Sequence, residues 1–245
     1  MRVSSNGMWS TGRSSTGLEA DLPVPIEIKA VANARRLRLR FDEASRTLKL
    51  TCPPRSSRRS ALAWAVSQRE WIDQQIARAA PPRPFVPGAV IAVEGQSVAL
   101  EWARDASRTA QLVDGKLICG GPERGFARRV ENYLRRLALD RMSAEVAHYC
   151  AAAGVPARSV TIGDAATRWG SCTSDGRIRL SWRLILTPPA VRRYVVAHEV
   201  AHLVHLNHGP QFKALEAQLY GPGLAEAKTW LRREGSRLRG VGRRG

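Results

Sequence analysis

Two histidines separated by three residues constrain this chain more than any other feature of its sequence. They are His198 and His202, and Glu199 stands beside the first of them in an otherwise apolar stretch. In an α-helix, residues i and i+4 share one face about 6 Å apart, so both imidazoles can reach the same metal ion. Polar side chains buried among valine, alanine and leucine need partners. The segment therefore predicts a buried helix that carries a metal site.

Glu199 is the candidate catalytic residue of this site. Zinc held by neutral imidazoles keeps an open coordination position for water and lowers the pKa of that water towards about 7. An adjacent carboxylate can accept the proton of the water and later return it. The pattern favours a metal-dependent hydrolase in which Glu199 is the general base.

Several residues compete for the position of third ligand. His208 is followed by Gly209-Pro210, which ends a helix and lets the chain turn back towards the metal. The imidazole of His205 would have to reach back along the helix axis, so we expect it to support the site or to lie at the surface. A glutamate ligand would be Glu216 or Glu226. Among these residues, His208 is the favoured third ligand.

A second motif precedes the metal-binding helix. Residues 168–172 have the sequence RWGSC, and a tight-turn pair at 175–176 leads into residues 177–186, where apolar and mostly polar residues alternate. Such alternation predicts a half-buried β-strand. Thr187 and Pro188 then favour the start of a helix. The predicted strand therefore leads into the metal-binding helix after almost no loop.

Together these segments resemble a known family. RWGSC, the strand ending in RLILTP, the helix YVVAHEVAH and the sequence NHxxxF completed by Phe212 resemble the YgjP-like family of metal-dependent hydrolases, which is usually classed with zincin-type metallopeptidases. The motifs lie within residues 168–212, and the general layout resembles the family from about residue 26 to 235. The resemblance implies that Glu199 is catalytic and that zinc is bound by His198, His202 and His208.

Three further residues are candidates for substrate or oxyanion contacts: Arg168, Trp169 and Tyr194. Arg168 offers several fixed donors to a developing oxyanion, and an alternative role is to tie its loop to the sheet. Tyr194 lies about one turn before His198, and its alternative is an ordinary helix residue with a packed ring and a solvated hydroxyl. Cys172 is predicted to be a small packed residue rather than a ligand.

The order of the predicted elements indicates an α+β fold, with a zincin-like core in which a mixed sheet packs on the HExxH helix, preceded by a smaller strand and helix region. We expect a hairpin at 36–52, a helix at 57–79, strands at 90–102, 109–119 and 158–163, a long helix at 123–153, and final helices at 211–220 and 224–233. The predicted domains are a disordered leader (1–25), an N-terminal strand and helix region (26–122), the metallohydrolase core (123–235) and a flexible Arg-rich tail (236–245).

Composition limits the setting in which the protein acts. Its four cysteines form no C-x-x-C pair, which favours reduced thiols. No stretch of about 18 apolar residues and no signal peptide is visible, so we expect a cytoplasmic protein without a membrane partner. A formal charge of +18 attracts polyanions. Because the arginines are dispersed, we expect at most weak nucleic-acid contact through the basic surface.

Three functions remain open from the sequence. As a peptidase, the protein would hydrolyse a peptide bond by Glu199-assisted attack of metal-bound water, with the strand at 177–186 offering an edge to an extended substrate. As a nucleoside triphosphate phosphohydrolase, it would use arginines to hold the phosphates. As a third option, zinc would stabilise a non-catalytic nucleic-acid-binding protein. Zinc is the expected metal, although histidine ligands also accept manganese or nickel.

Overall fold

The computed structural model describes residues 17–43, 45–165 and 167–243, and the chain divides into two compact units between Ala80 and Pro81. The fold is α+β with mixed sheets, as predicted. None of the helices in these described ranges is both long enough and apolar enough to span a membrane. The boundary expected after residue 122 falls inside the second unit.

The first unit is a small sheet covered by helices. Its elements are α1 (Gly17–Ala20), β1 (Ile26–Ala30), β2 (Arg38–Asp42), β3 (Thr47–Cys52), α2 (Arg58–Ser67) and α3 (Arg69–Arg78). The central strand β3 pairs in parallel with β1 and antiparallel with β2. This arrangement confirms the predicted hairpin. The helix predicted at 57–79 is instead two helices, because the backbone leaves helical geometry at Gln68.

The disordered leader predicted for residues 1–25 is wrong for its last nine residues. Residues 1–16 lie outside the described part of the chain. From Gly17 the chain is folded: Leu22 is buried in the apolar core of the first unit, and Glu19 lies 2.5 Å from the guanidinium of Arg58. Burial of the apolar side chain of Leu22 is favourable, so it stabilises the ordered backbone of this segment.

The second unit contains the remaining elements. They are β4 (Val90–Val93), β5 (Gln96–Trp102), β6 (Gln111–Val113), β7 (Lys116–Cys119), α4 (Phe126–Ala153), β8 (Ser159–Gly163), β9 (Gly170–Cys172), β10 (Arg177–Ser181), α5 (Pro189–Val204), α6 (Pro210–Tyr220) and α7 (Leu224–Leu238). One sheet has the order β4-β5-β7-β6 and the other the order β8-β10-β9. The long helix α4 and the helix α5, which carries His198 and His202, pack on the same core as the strand β10.

Each of the two strands predicted at 90–102 and 109–119 is a hairpin. Glu94-Gly95 and Asp114-Gly115 form the turns, and all four residues have positive φ, between 47° and 81°. Left-handed residues of this kind are typical of two-residue hairpin turns, in which glycine carries no steric cost. The two dipeptides were therefore turn signals inside the predicted strands.

A buried arginine joins the four-stranded sheet to the helices of the second unit. Arg192 on α5 is 3% exposed, and its guanidinium lies 3.0 Å from Glu94 and 2.8 Å from Glu145 on α4. A buried cation needs such partners because removal from water is costly. This contact between distant residues, together with the apolar core that the sheet shares with α4 and α5, holds β4 to β7 within the second unit.

The strand predicted at 177–186 ends at Ser181. Residues Trp182–Leu186 form a 3-10 helix in which all five side chains are buried. Arg183, which alternation would have placed in solvent, is 3% exposed and forms an ion pair with Asp164 at 2.7 Å. The guanidinium also donates to the carbonyl oxygens of Leu238 and Val241.

The same contacts correct the prediction of a flexible tail from residue 236. The helix α7 continues to Leu238, Val241 is buried at 4% exposure, and Arg83 forms a β-bridge with Val241. The buried guanidinium of Arg183 requires acceptors, and the carbonyl groups at the end of α7 provide them. The described part of the tail is therefore part of the fold.

Candidate metal centre

Three histidines meet at the end of α5. His198 and His202 lie on consecutive turns of this helix, and His208 comes from the loop before α6. One ligand atom from each of the three lies within 4.8 Å of the others. Proline at the start of α6 and the short loop before it return the chain to the helix, as the sequence predicted. The imidazole of His205 is not part of this cluster.

The spacing of the nitrogens fits a single metal ion. Nε2 of His198 and Nε2 of His208 are 3.3 Å apart. Two nitrogens that bind one tetrahedral zinc at 2.0–2.1 Å are separated by about 3.3 Å. Burial lowers the pKa of both His198 and His202 and outweighs the contacts that raise it. The imidazoles are thus held in the neutral form that a metal requires.

Both helical histidines are oriented by a contact at Nδ1. Nδ1 of His198 lies 2.8 Å from a carboxylate oxygen of Glu216, and the other oxygen of Glu216 accepts from Lys228 at 2.7 Å. Nδ1 of His202 lies 3.0 Å from the backbone carbonyl oxygen of His205. When Nδ1 donates, the lone pair is on Nε2, which is the atom that faces the shared centre. Such contacts commonly fix the tautomer of metal-binding histidines.

The ring of Phe212 contacts the imidazoles of all three histidines. Its centroid lies 5.0 Å from that of His198, 4.5 Å from that of His202 and 4.7 Å from that of His208, and the side chain is 1% exposed. A rigid aromatic ring in contact with three imidazoles restricts their rotation. Phe212 therefore holds the cluster in place, a role that the sequence analysis did not assign to it.

The carboxylate of Glu199 lies between α5 and the strand β9. Glu199 is 5% exposed, and a Cβ added to Gly170 would stand 2.3 Å from its Oε1. Gly170 is the glycine of the RWGSC motif, so the absence of a side chain at that position makes room for the carboxylate. Burial raises the pKa of Glu199 to about 7, and the charge of Arg168 opposes this shift. Glu199 is therefore poised to gain or lose a proton near neutral pH.

The other predicted contact residues lie in different surroundings. The Tyr194 ring centroid is 6.1 Å from that of His198, and burial raises the pKa of its hydroxyl to about 12, so the hydroxyl keeps its proton. Trp169 packs against α7 with the guanidinium of Arg239 over its ring. Burial, followed by the charge of Glu199, raises the pKa of the Cys172 thiol to about 11. Cys172 thus stays a neutral thiol outside the histidine cluster.

Sequence reasoning missed the part played by Glu216. It was considered only as an alternative ligand, whereas its buried carboxylate contacts Nδ1 of His198 and Lys228. A signal was present: Glu216 follows Phe212 by four residues, so both project from the same face of α6. Glu226, the other alternative, instead lines a cavity with Tyr220 and Trp230.

Comparisons with known proteins identify the family of the chain. A protein-family model described as "YgjP-like, metallopeptidase domain" matches residues 35–234. No curated protein matches the chain with significance. No solved structure does so either. The family match covers both motifs, RWGSC and HExxH, together with Phe212 and Glu216.

Proposed function

Because the chain belongs to the YgjP-like family of metallopeptidase domains, we propose that it is a zinc-dependent peptidase in which Glu199 serves as general base. The observation that carries the proposal is the pairing of a three-histidine cluster with a buried carboxylate on the next residue of the same helix. The pKa of about 7 at Glu199 supports this role, since a general base works best when its pKa is near the operating pH.

His198, His202 and His208 would hold the zinc ion. Bound there, zinc supplies a Lewis acid that makes water nucleophilic near neutral pH. Glu199 accepts the proton of the attacking water and transfers it to the leaving amine. Arg168, whose positive charge acts on Glu199, would stabilise negative charge that develops on the substrate carbonyl. Tyr194 beside His198 is a second proposed donor.

The strand that receives an extended substrate is β9 rather than the predicted segment 177–186. The strand β10 lies at the centre of its sheet, between β8 and β9, and therefore has no free edge. In the antiparallel pair, the backbone carbonyl of Trp169 and the backbone N–H of Thr173 form hydrogen bonds with β10. Because paired and unpaired positions alternate, the backbone groups of Gly170 and Cys172 point to the open side. A peptide paired there would lie beside Glu199.

The other two functions are less well supported. A structural zinc site fills all four coordination positions with protein groups, whereas among the described residues the cluster has three histidines, of which His208 is exposed. A nucleoside triphosphate phosphohydrolase would use the same centre with phosphates held by arginines, and the net charge of +18 favours such substrates. Direct assay separates this alternative from peptide hydrolysis.

The test compares zinc-loaded protein with its Glu199→Gln variant on a mixed peptide library, read by mass spectrometry, and on a nucleoside triphosphate panel, read by phosphate and pyrophosphate release. We expect peptide cleavage by the unaltered chain and a loss of at least about a hundredfold in the variant, with zinc still bound. His208→Ala should lose zinc. Cleavage that survives Glu199→Gln would refute the mechanism, and phosphate release without peptide cleavage would favour the phosphohydrolase.

The proposed location is the cytoplasm, and the proposed partners are the substrate and, more weakly, nucleic acid. Free thiols at Cys52, Cys119, Cys150 and Cys172 support a reducing compartment.

A further inference from the structure

We propose that a cavity next to β9 binds the carboxylate of an acidic substrate side chain. The inference rests on the proposed peptidase function, since it assigns a preference to the same substrate. The cavity has a volume of about 310 Å³ and is lined by Arg168, Gly170, Ser171 and Arg179 among others. Gly170 borders the cavity and also adjoins the carboxylate of Glu199, so the cavity belongs to the surroundings of the candidate catalytic residue.

The cavity has an excess of positive charge. Its one acidic lining residue, Asp164, is already paired with Arg183 at 2.7 Å and with Arg243 at 2.6 Å. Arg168 and Arg179 are exposed, and neither guanidinium donates a hydrogen bond to any residue that the structure describes. The guanidinium of Arg179, which borders the cavity, favours a planar anion, because an arginine can bind such an anion through two parallel hydrogen bonds.

The position of Arg179 is restricted by a glycine on the neighbouring strand. A Cβ added to Gly163 on β8 would stand 2.3 Å from Nε of Arg179, so the arginine side chain lies close against the backbone of that strand. A side chain held in this way loses less conformational entropy when it binds an anion. Because Gly163 has no side chain, the guanidinium of Arg179 can lie against the backbone of β8 and is held beside the cavity.

The register of β9 shows how one peptide would reach both sites. Successive side chains of a strand point to opposite faces of the sheet. Gly170 faces Glu199, whereas Ser171 pairs with Arg179 and lines the cavity. A substrate strand paired with the open edge of β9 would follow the same alternation. Side chains on one face would approach the metal centre, and those at the alternate positions would approach Arg179. We assign the acidic side chain to one of these alternate positions.

The test measures peptide binding and does not require turnover. Fluorescently labelled peptides that carry glutamate, or glutamine at the same positions, are titrated by anisotropy into the zinc-loaded full chain with Glu199→Gln. The same titrations are repeated with a protein that carries Arg179→Gln in addition to Glu199→Gln. The matched control is Arg177→Gln, which removes the same charge two residues away on the same face of β10, outside the cavity, where Arg177 contacts Asp175.

We expect the glutamate peptide to bind about tenfold more tightly than its glutamine counterpart. Arg179→Gln should abolish this difference, and Arg177→Gln should leave it unchanged. Equal binding of the two peptides, or equal losses in both arginine variants, would overturn the proposal, because the attraction would then be absent or would come from the overall charge. If the peptides bind with this preference but the unaltered zinc-loaded chain does not cleave them, the proposed peptidase function is wrong and the anion site is still supported.

Inorganic phosphate distinguishes a peptide carboxylate from a free anion. Phosphate should compete with the glutamate peptide and leave binding of the glutamine peptide unaffected. If phosphate binds in an Arg179-dependent manner while neither peptide binds, the cavity is a site for free anions, and the assignment to a peptide side chain is wrong.

Discussion

The carboxylate of Glu199 lies against the backbone of Gly170, and a methyl group at Gly170 would stand only 2.3 Å from Glu199 Oε1. The two residues belong to different elements, β9 and α5, and to the two motifs that identified the family. The glycine of RWGSC and the glutamate of HExxH are therefore in direct contact, and the strand β9 leaves space for the buried carboxylate of Glu199.

This contact predicts a specific coupling between two substitutions. Gly170→Ala should destabilise the protein by about 1–3 kcal/mol, because the added methyl group overpacks the interface, and it should reduce activity by displacing Glu199. Glu199→Asp shortens the acid by one methylene group and should recover part of the lost stability in the double variant. Denaturant unfolding of the four proteins measures the coupling. Additive effects on unfolding free energy would show that the two residues do not interact.

Glu216→Gln should weaken zinc binding about 10- to 100-fold, because a neutral amide supports the imidazole of His198 less well than a carboxylate. Competition with a chromogenic chelator measures the affinity. The matched control is Glu226→Gln, an exposed glutamate that lines a separate cavity, and it should bind zinc normally. Unchanged zinc affinity in Glu216→Gln would refute the supporting role.

Phe212→Leu should lower both stability and zinc affinity, because the smaller side chain leaves the three imidazoles without a common support. Phe85→Leu provides the comparison, since Phe85 is also buried but packs on Trp182. We expect comparable losses of stability in thermal unfolding, with reduced zinc affinity in the Phe212 variant alone. Equal zinc affinity in the two variants would mean that Phe212 is an ordinary core residue.

Asp164→Asn should destabilise the protein by about 3 kcal/mol, because it leaves the buried guanidinium of Arg183 without its carboxylate. Burial alone would raise the pKa of Asp164, but the hydrogen bond and charge of Arg183 outweigh it and lower the pKa. The stabilisation is therefore present above the unfolded-state pKa of 3.8 and is lost as pH falls through the lower folded-state value.

Unfolding free energies measured between neutral pH and about pH 3 test this prediction. The Asn variant should lose less stability on acidification than the unaltered chain. Asp114→Asn, at an exposed turn position with positive φ that asparagine tolerates, should behave as the unaltered chain does. Identical pH dependence in Asp164→Asn and the unaltered chain would show that Asp164 does not contribute through its charge.

The elements whose side chains repeat regularly were predictable from the sequence. The long helix α4, the helix α5 and the hairpin of β2 and β3 all appear where the residue pattern predicted them. The meeting of His198, His202 and His208 was also predictable, because two of them share a helix and a Gly-Pro turn returns the third. These features depend on residues close in the chain, whose geometry is fixed by helix or strand repeat.

Periodicity failed where a buried charge changed the pattern. Arg183 and Arg192 look like solvent-facing residues in the sequence, yet both are 3% exposed. Each is compensated by carboxylates far away in the chain, Asp164 for the first and Glu94 with Glu145 for the second. The pattern of apolar and polar residues cannot show that a carboxylate far away in the chain will compensate the desolvation of a buried guanidinium.

The sequence by itself therefore determined the helix that carries the histidines, the choice of His208 as third member of the cluster, and the family. Only the tertiary structure decided that Glu216 orients His198, that Gly170 makes room for Glu199, and that β9 rather than β10 has the open edge. The physical reason is that helix and strand geometry is set by neighbours in the chain. Contacts between elements are set by how their faces pack, which depends on the whole core.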